Sequence, residues 1–212
     1  MIAIVDYGRG NLGSVEKAFA RVGVLAVVTQ DPRAVDEANA VVLPGDGAFH
    51  DAMANLARLD LIPPLRRALD GTRPFLGICL GYQLLFTSSE EFGEGRGLDV
   101  IPGVVRRFPA GRKVPHMGWN SVEHGGRLRL FDGVPEGARF YFVHSYYPEA
   151  RTGDCVTSST GPLKQAWCEY GVRFAAAIEL GRIHATQFHP EKSQAWGLRM
   201  LENFAAIVKD ST

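Results

Sequence analysis

The stretch PFLGICLGYQLLF, residues 74–86, opens with an apolar run, Pro74 to Ile78, that reads as a strand. Tyr82 to Phe86 reads as the beginning of a helix. Between them, Gly77-Ile78-Cys79-Leu80-Gly81 spells G-x-C-x-G. This is the cysteine counterpart of the G-x-S-x-G turn that lifts a nucleophile above a sheet. Glycines two residues either side leave room for close packing of neighbouring chain. A helix starting at Leu80 or Gly81 aims its positive end at the sulfur, which favours the thiolate. Its free N–H groups, Leu80 first, are placed to hold an oxyanion. A lone cysteine is also a common small core residue, so this reading requires a base.

The base comes from ATQFHPEKS, residues 185–193. Ile183 to Phe188 reads as a strand with His189 at its end, and Pro190 holds His189 to extended geometry. Side chains two apart share a face of an extended segment, which brings Glu191 beside His189 to orient the imidazole. LPGDGAFHDAM, residues 43–53, follows another apolar run, and its Pro44-Gly45-Asp46-Gly47 loop is tight and exposes backbone. Such a loop on a neighbouring strand supplies the second oxyanion N–H. Cys79, His189, Glu191 and this loop together suit acyl transfer through a thioester.

Outward from this site, strand and helix signals alternate. Ile2 to Val5, Val24 to Val28 and Ala40 to Leu43 read as strands. Leu12, Val15, Phe19 and Val22 recur at helical spacing, and Asp51 to Leu59 and Leu61 to Leu69 read as helices. This alternation predicts a parallel sheet with helices on its faces. The later runs Val104 to Phe108, Arg139 to Val143 and Phe174 to Ile178 read as hairpins or antiparallel additions. Ser193 to Val208 returns to helix, with Trp196, Met200, Leu201, Phe204 and Val208 as its core stripe. The expected fold is therefore α/β, one domain over residues 1–212. A mixed, largely parallel central sheet is flanked by helices and carries an added antiparallel β region.

One motif competes. In DYGRGNLGSVEKAF, residues 6–19, Gly8, Gly10 and Gly13 spell G-x-G-x-x-G between a strand and a helix. Asp31 stands near where a ribose-binding acid belongs, so a dinucleotide site is the rival reading.

Composition narrows the partners. The 212 residues carry no formal net charge, with 46% hydrophobic and 22% charged residues. No basic run suits nucleic acid or anionic lipid. No apolar stretch approaches the ~18 residues that span a bilayer. The start, Met1 to Asp6, has no basic n-region and meets a charge too early to read as a signal peptide. Cys79, Cys155 and Cys168 are odd in number and without C-x-x-C, which points to a reducing cytoplasm rather than a disulfide framework. His50 and His124 read as loop or helix-surface residues, and His116, His144 and His184 as structural ones. No spacing among them suits a metal and no G-x-x-x-x-G-K-[ST] loop exists, so neither metal nor nucleoside triphosphate is expected.

LGICLGYQLL with HPEKS resembles the Cys-His-Glu signature of class I glutamine amidotransferases. DYGRGNLGSV, LPGDGAFHDAM, KVPHMGWN, YFVHSYY and ATQFHPEKS, in that order, resemble a branch of this family: the glutaminase subunits of imidazole glycerol phosphate synthases, enzymes of histidine biosynthesis. The resemblance implies a flavodoxin-like core and a glutaminase in which Cys79 attacks the glutamine side-chain amide. His189 shuttles the proton, Glu191 orients His189, and the oxyanion meets Leu80, Asp46 and Gly47. It places Gly45, Gln83, Ser145 and Tyr146 around glutamine. It also implies a heterodimer with a (β/α)8-barrel cyclase subunit that receives the ammonia, faced by Asn11, Trp119, Tyr141 and Lys192.

The same resemblance puts the Gly8 to Gly13 turn at the subunit interface, with no dinucleotide or other cofactor, and leaves Asp31 as a turn or capping residue. Asp46, where many relatives carry an apolar residue, and Tyr82, where Met is common, depart from the pattern. Tyr82 is expected to alter packing beside the glutamine pocket. A glutaminase serving a pyridoxal phosphate, GMP or anthranilate synthase, and a non-catalytic binding module, are the alternative readings.

Overall fold

The computed structural model describes residues 1–150 and 161–211. Cys155 lies outside them. The first half alternates as expected: β1 (Ile2–Val5), α1 (Leu12–Arg21), β2 (Ala26–Thr29), α2 (Pro32–Glu37), β3 (Ala40–Leu43), α3 (Phe49–Arg58), α4 (Ile62–Ala68) and β4 (Phe75–Ile78). β1, β3 and β4 are buried at every position, as continuous apolar runs in a parallel sheet must be. α1 turns Val15, Ala18 and Phe19 inward. Asp31 caps α2, its carboxylate accepting from the Arg33 N–H at 2.9 Å, which uses up the acid a ribose would need.

A single helical turn, α5 (Leu80–Gln83), follows β4, and then the chain departs from the helix expected over Tyr82 to Phe86. The carbonyls of Leu84 and Leu85 accept from the N–H groups of Leu98, Val100 and Ile101 instead of from the next helical turn. Leu84, Leu85 and Phe86 are all fully buried, leaving no polar face for a surface helix. The chain runs instead into β5 (Phe86–Ser89), β6 (Gly95–Arg96), β7 (Ile101–Arg107), β8 (His116–Ser121), β9 (Arg139–His144) and β10 (Tyr146–Ala150). β11 (Leu163–Glu169), β12 (Arg173–Leu180), β13 (Ile183–Thr186) and α6 (Gln194–Lys209) complete it.

The main sheet has the order β11-β12-β13-β4-β3-β1-β2. Its β2-β1-β3-β4-β13 portion is parallel and doubly wound in the 2-1-3-4-5 sense, while β12 and β11 add antiparallel strands at the β13 edge. A second sheet, β10-β7-β5-β6, and the β8-β9 hairpin form the added β region. On α6, Met200, Leu201, Phe204 and Ile207 are buried, each contributing about 2 kcal/mol. Trp196 departs from the expected stripe: it is 40% exposed, because Gly197 presses the first turn of α6 against Pro190 and turns position 196 outward.

Three histidines sit in the interior as neutral rings. His116 and His144 share a hydrogen bond of 3.1 Å, and His116 stacks on Tyr170 with ring centres 4.0 Å apart. His184 pairs across strands with Glu179 and is 1% exposed. Burial pushes His116 and His184 down to about 4 and His144 to about 3. The unfolded chain therefore binds protons that the native one refuses between these values and about 6.5. This stabilisation is complete above pH 6.5 and is lost as pH falls through the window. We expect urea-unfolding stability to drop by about 2 kcal/mol or more between pH 6.5 and 5, above the carboxylate range. A flat profile there would refute the assignment. His124, expected at the surface, is also buried, stacked on Phe131 with ring centres 4.7 Å apart.

Candidate active site

Three loops leave the carboxyl ends of β1, β3 and β4 side by side, where the strand order reverses. That crevice is the usual ligand site of a doubly wound sheet. Here the G-x-G-x-x-G turn is closed to a pyrophosphate. Two of its N–H groups and that of the following Ser14 are already spoken for: Gly8 donates to Asp6 at 2.8 Å, Gly10 to Asp46 at 3.0 Å, and Ser14 to the capping Asn11 at 3.3 Å. A Cβ on Gly10 would meet the Gly45 Cα at 3.3 Å, so the turn lies directly against the next loop. Two carboxylates, not phosphates, fill the anion positions.

The neighbouring turn, after β4, carries Cys79 at φ 55° and ψ −106°, a strained conformation for a residue with a side chain. Its N–H donates to the Thr186 carbonyl at 2.8 Å, which locks the turn to β13. Both motif glycines are required by contact. A Cβ on Gly77 would meet the Gly81 carbonyl oxygen at 3.0 Å, and one on Gly81 would fall onto the Leu43 carbonyl. Because α5 is one turn long, its dipole offers little; the local charges set the sulfur's surroundings instead.

His189 reaches the same place from the end of β13. Its backbone N–H donates to the Tyr141 carbonyl at 3.0 Å, and its carbonyl accepts from Ser193 Oγ at 2.6 Å. Glu191 Oε1 and His189 Nδ1 are 2.8 Å apart with both side chains buried. The contact does not arise from an extended segment. Pro190–Lys192 forms a 3-10 turn, and that curl brings the two side chains together. Burial lowers the affinity of His189 for a proton, but the facing charges of Cys79 and Glu191 outweigh it and hold the imidazole above its ordinary pKa. Among the described residues Nε2 has no hydrogen-bond partner that competes with the sulfur, which leaves it free for proton traffic with Cys79.

Cys79 and His189 line a cavity of about 420 Å³ with Leu80, Gln83, Ser145 and Tyr146. Asp46, Gly47, Asn11 and Lys192 border it too. Gly45 does not face it: its carbonyl accepts from the Leu80 N–H at 3.4 Å, so the first expected oxyanion donor is occupied by the chain's own backbone. Trp119 and Tyr141 pair across β8 and β9 outside the cavity, ring centres 6.1 Å apart, with Trp119 39% exposed. Tyr82 is not at the pocket as expected. It points into the core, donates to the Ala175 carbonyl at 3.3 Å, and packs edge-on to Phe86.

Three residues of the site escaped the sequence reading. Glu91 borders the cavity and accepts from the Phe49 N–H at 2.7 Å. Ser193 ties His189 to β9. Gln187 stands fully buried against the sulfur. Their neighbours in sequence carry no signal of these contacts, except that Gln187 lies two residues before His189. Among the described residues no group of three or more His, Cys, Asp or Glu is placed to hold a metal ion. No helix among them is long and apolar enough to cross a membrane.

The family model "Glutamine amidotransferase class-I" matches residues 3–208. The chain is 53% identical to the imidazole glycerol phosphate synthase subunit HisH of Geobacter sulfurreducens, over 97% of this chain and 98% of that one. It is 51% identical to the HisH subunit of Moorella thermoacetica, over 98% and 95% of the two chains. Among solved structures, a glutamine amidotransferase matches with TM-score 0.75 and 18% identity over 99% of this chain and 100% of that one. The glutaminase domain of a Trypanosoma brucei CTPS matches with TM-score 0.70 and 16% identity over 99% and 93%. These last two likenesses speak for the fold alone. With half its residues shared end to end with the subunits named above, the chain belongs to the class I glutamine amidotransferase family, in the branch of the imidazole glycerol phosphate synthase HisH subunits.

Proposed function

We infer that this chain is the glutaminase subunit of an imidazole glycerol phosphate synthase, one cytoplasmic glutamine amidotransferase type 1 domain that releases ammonia from glutamine for a cyclase partner. The observation that carries the reading is the strained Cys79 beside a buried His189–Glu191 pair 2.8 Å apart. The Cys79 sulfur attacks the side-chain amide carbon of glutamine while His189 takes the thiol proton. Collapse of the tetrahedral intermediate breaks the C–N bond, and His189 returns the proton to the departing nitrogen as ammonia. Water then attacks the glutamyl thioester, giving glutamate and restoring the thiol. Glu191 holds the imidazole in one tautomer and stabilises its charged form.

The negative oxygen of each intermediate falls to the Leu80 N–H and to an N–H of the Asp46-Gly47 loop. For this the Gly45 carbonyl must first leave Leu80. Gln83, Ser145 and Tyr146 surround the glutamine, Gly45 joins them only once its carbonyl has left Leu80, and the Glu91 carboxylate suits the α-ammonium group. Asn11, Trp119, Tyr141 and Lys192 form the face toward the cyclase, a (β/α)8 barrel. Asn11 and Lys192 border the cavity itself, so a partner docked there touches the site's rim. No dinucleotide or other cofactor takes part.

The test is to titrate the chain with the cyclase subunit and its ribonucleotide substrate while following glutamine hydrolysis and imidazole glycerol phosphate. The isolated chain should hydrolyse glutamine slowly, with stimulation on the order of 100-fold in the loaded complex. Full activity alone, or stimulation only by an unrelated synthase, would overturn the reading.

A further inference from the structure

We propose that Gln187 is a positioning residue for the nucleophile, its side-chain amide holding the Cys79 sulfur and tying it to the loop around Tyr146. The inference rests on the glutaminase reading above and extends it. Gln187 Nε2 donates to Cys79 Sγ at 3.6 Å, within reach for the large sulfur atom, and Gln187 Oε1 accepts from Gln83 Nε2 at 3.1 Å. Gln83 Nε2 also donates to the Tyr146 carbonyl at 2.9 Å.

These contacts fix the direction of both amides. A backbone carbonyl only accepts, so Gln83 must present its NH2 group to Tyr146. The same NH2 group then meets Gln187, which must answer with its oxygen. Its nitrogen is left pointing at the sulfur. A main-chain carbonyl thus sets, through two buried amides, an N–H donor on Cys79. Gln187 is 0% exposed and does not line the cavity, so its amide has no solvent as an alternative partner.

The other hydrogen bond of the sulfur runs the opposite way: the thiol donates to the Val143 carbonyl at 3.9 Å. Val143 therefore favours the protonated sulfur and Gln187 the thiolate. Since Tyr146 borders the cavity, a substrate that shifts that loop also shifts the amide that steadies the nucleophile. The titratable groups around the sulfur are His189, backed by Glu191, the Tyr7 hydroxyl at the end of β1, Asp46 near Tyr7, and His144.

Two variants of the full chain test this. Gln187→Met keeps the volume and removes the donor. Gln187→Glu keeps the oxygen facing Gln83 and replaces only the N–H facing sulfur. The readout is the pH dependence of Cys79 alkylation by iodoacetamide, followed by mass spectrometry, with far-UV circular dichroism to establish folding. The midpoint should rise by about one to two pH units in Gln187→Met and further in Gln187→Glu, the effect of losing a donor to an anion. In the complex with the cyclase subunit, kcat should fall by about tenfold or more with little change in KM.

An unchanged alkylation midpoint in either folded variant overturns the proposal and leaves Gln187 a packing residue. Failure of the glutaminase reading itself looks different. Wild-type chain fully alkylated at Cys79 would then retain glutamine-dependent synthesis.

Discussion

Cys79→Ala is expected to lower glutamine-dependent synthesis by at least about a thousandfold, while synthesis from added ammonium salt in the same complex persists. The first half follows from the absence of any substitute. Cys168, the other described cysteine, is buried within the β11–β12 layer, and burial pushes its thiol up to about 12. Without a sulfur there is no thioester, and His189 is left only to activate water, a much weaker route. The second half follows from where the residue sits. Cys79 touches the glutamine cavity and not the exposed Trp119 face through which the partner is proposed to dock. A steady-state assay with both nitrogen sources reads both halves at once. Equal loss with glutamine and ammonium would place the damage in folding or assembly.

Gly81→Ala is the most destabilising single methyl the turn could receive. The added Cβ would land on the Leu43 carbonyl, 2.8 Å from its carbon and 3.2 Å from Leu43 Cγ. The obstacle is backbone of β3, held in the centre of the sheet by pairing of Leu43 with Gly77, so it cannot swing aside as a side chain would. We expect a loss of about 3 kcal/mol or more, read as a lower urea midpoint at unchanged slope. Gly13→Ala supplies the contrast. A Cβ there meets nothing within 4 Å, and the helix gains a better former. If Gly81→Ala unfolds at the wild-type midpoint, the close packing of the turn on β3 is wrong.

The two glycine motifs show what a sequence can and cannot disclose. Both promise a strand, a tight turn and a helix; both deliver the strand and the turn, but the helix after Cys79 stops at a single turn. What separates them is a contact 36 residues away, Asp46 on the Gly10 N–H, which converts an anion cradle into a packed seam. β1, β3 and β4 were legible because burial on both faces demands unbroken apolar runs. β5 (FTSS), β8 (HMGWNS) and β11 (LKQAWCE) were not, since strands at the margin of a core need only part of that pattern and their mates are remote. The G-x-C-x-G turn and the His189–Glu191 contact, proposed as nucleophile and base, were legible because local turn chemistry positions each. Gln187, Glu91 and Ser193 acquire their roles only through partners on other elements, and nothing in a linear pattern announces such a partner.

The atom that blocks Leu80 is a main-chain oxygen, which every amino acid possesses. The silence proposed for the unpartnered chain would therefore be hard to lose by mutation. No exchange at position 45 deletes the blocking group, and most would also collide with the Tyr7 ring beneath it. Restraint of this kind leaves no signature residue, so kin of very different sequence can share it unnoticed, and breeding a constitutively active form means reshaping a loop rather than swapping a letter.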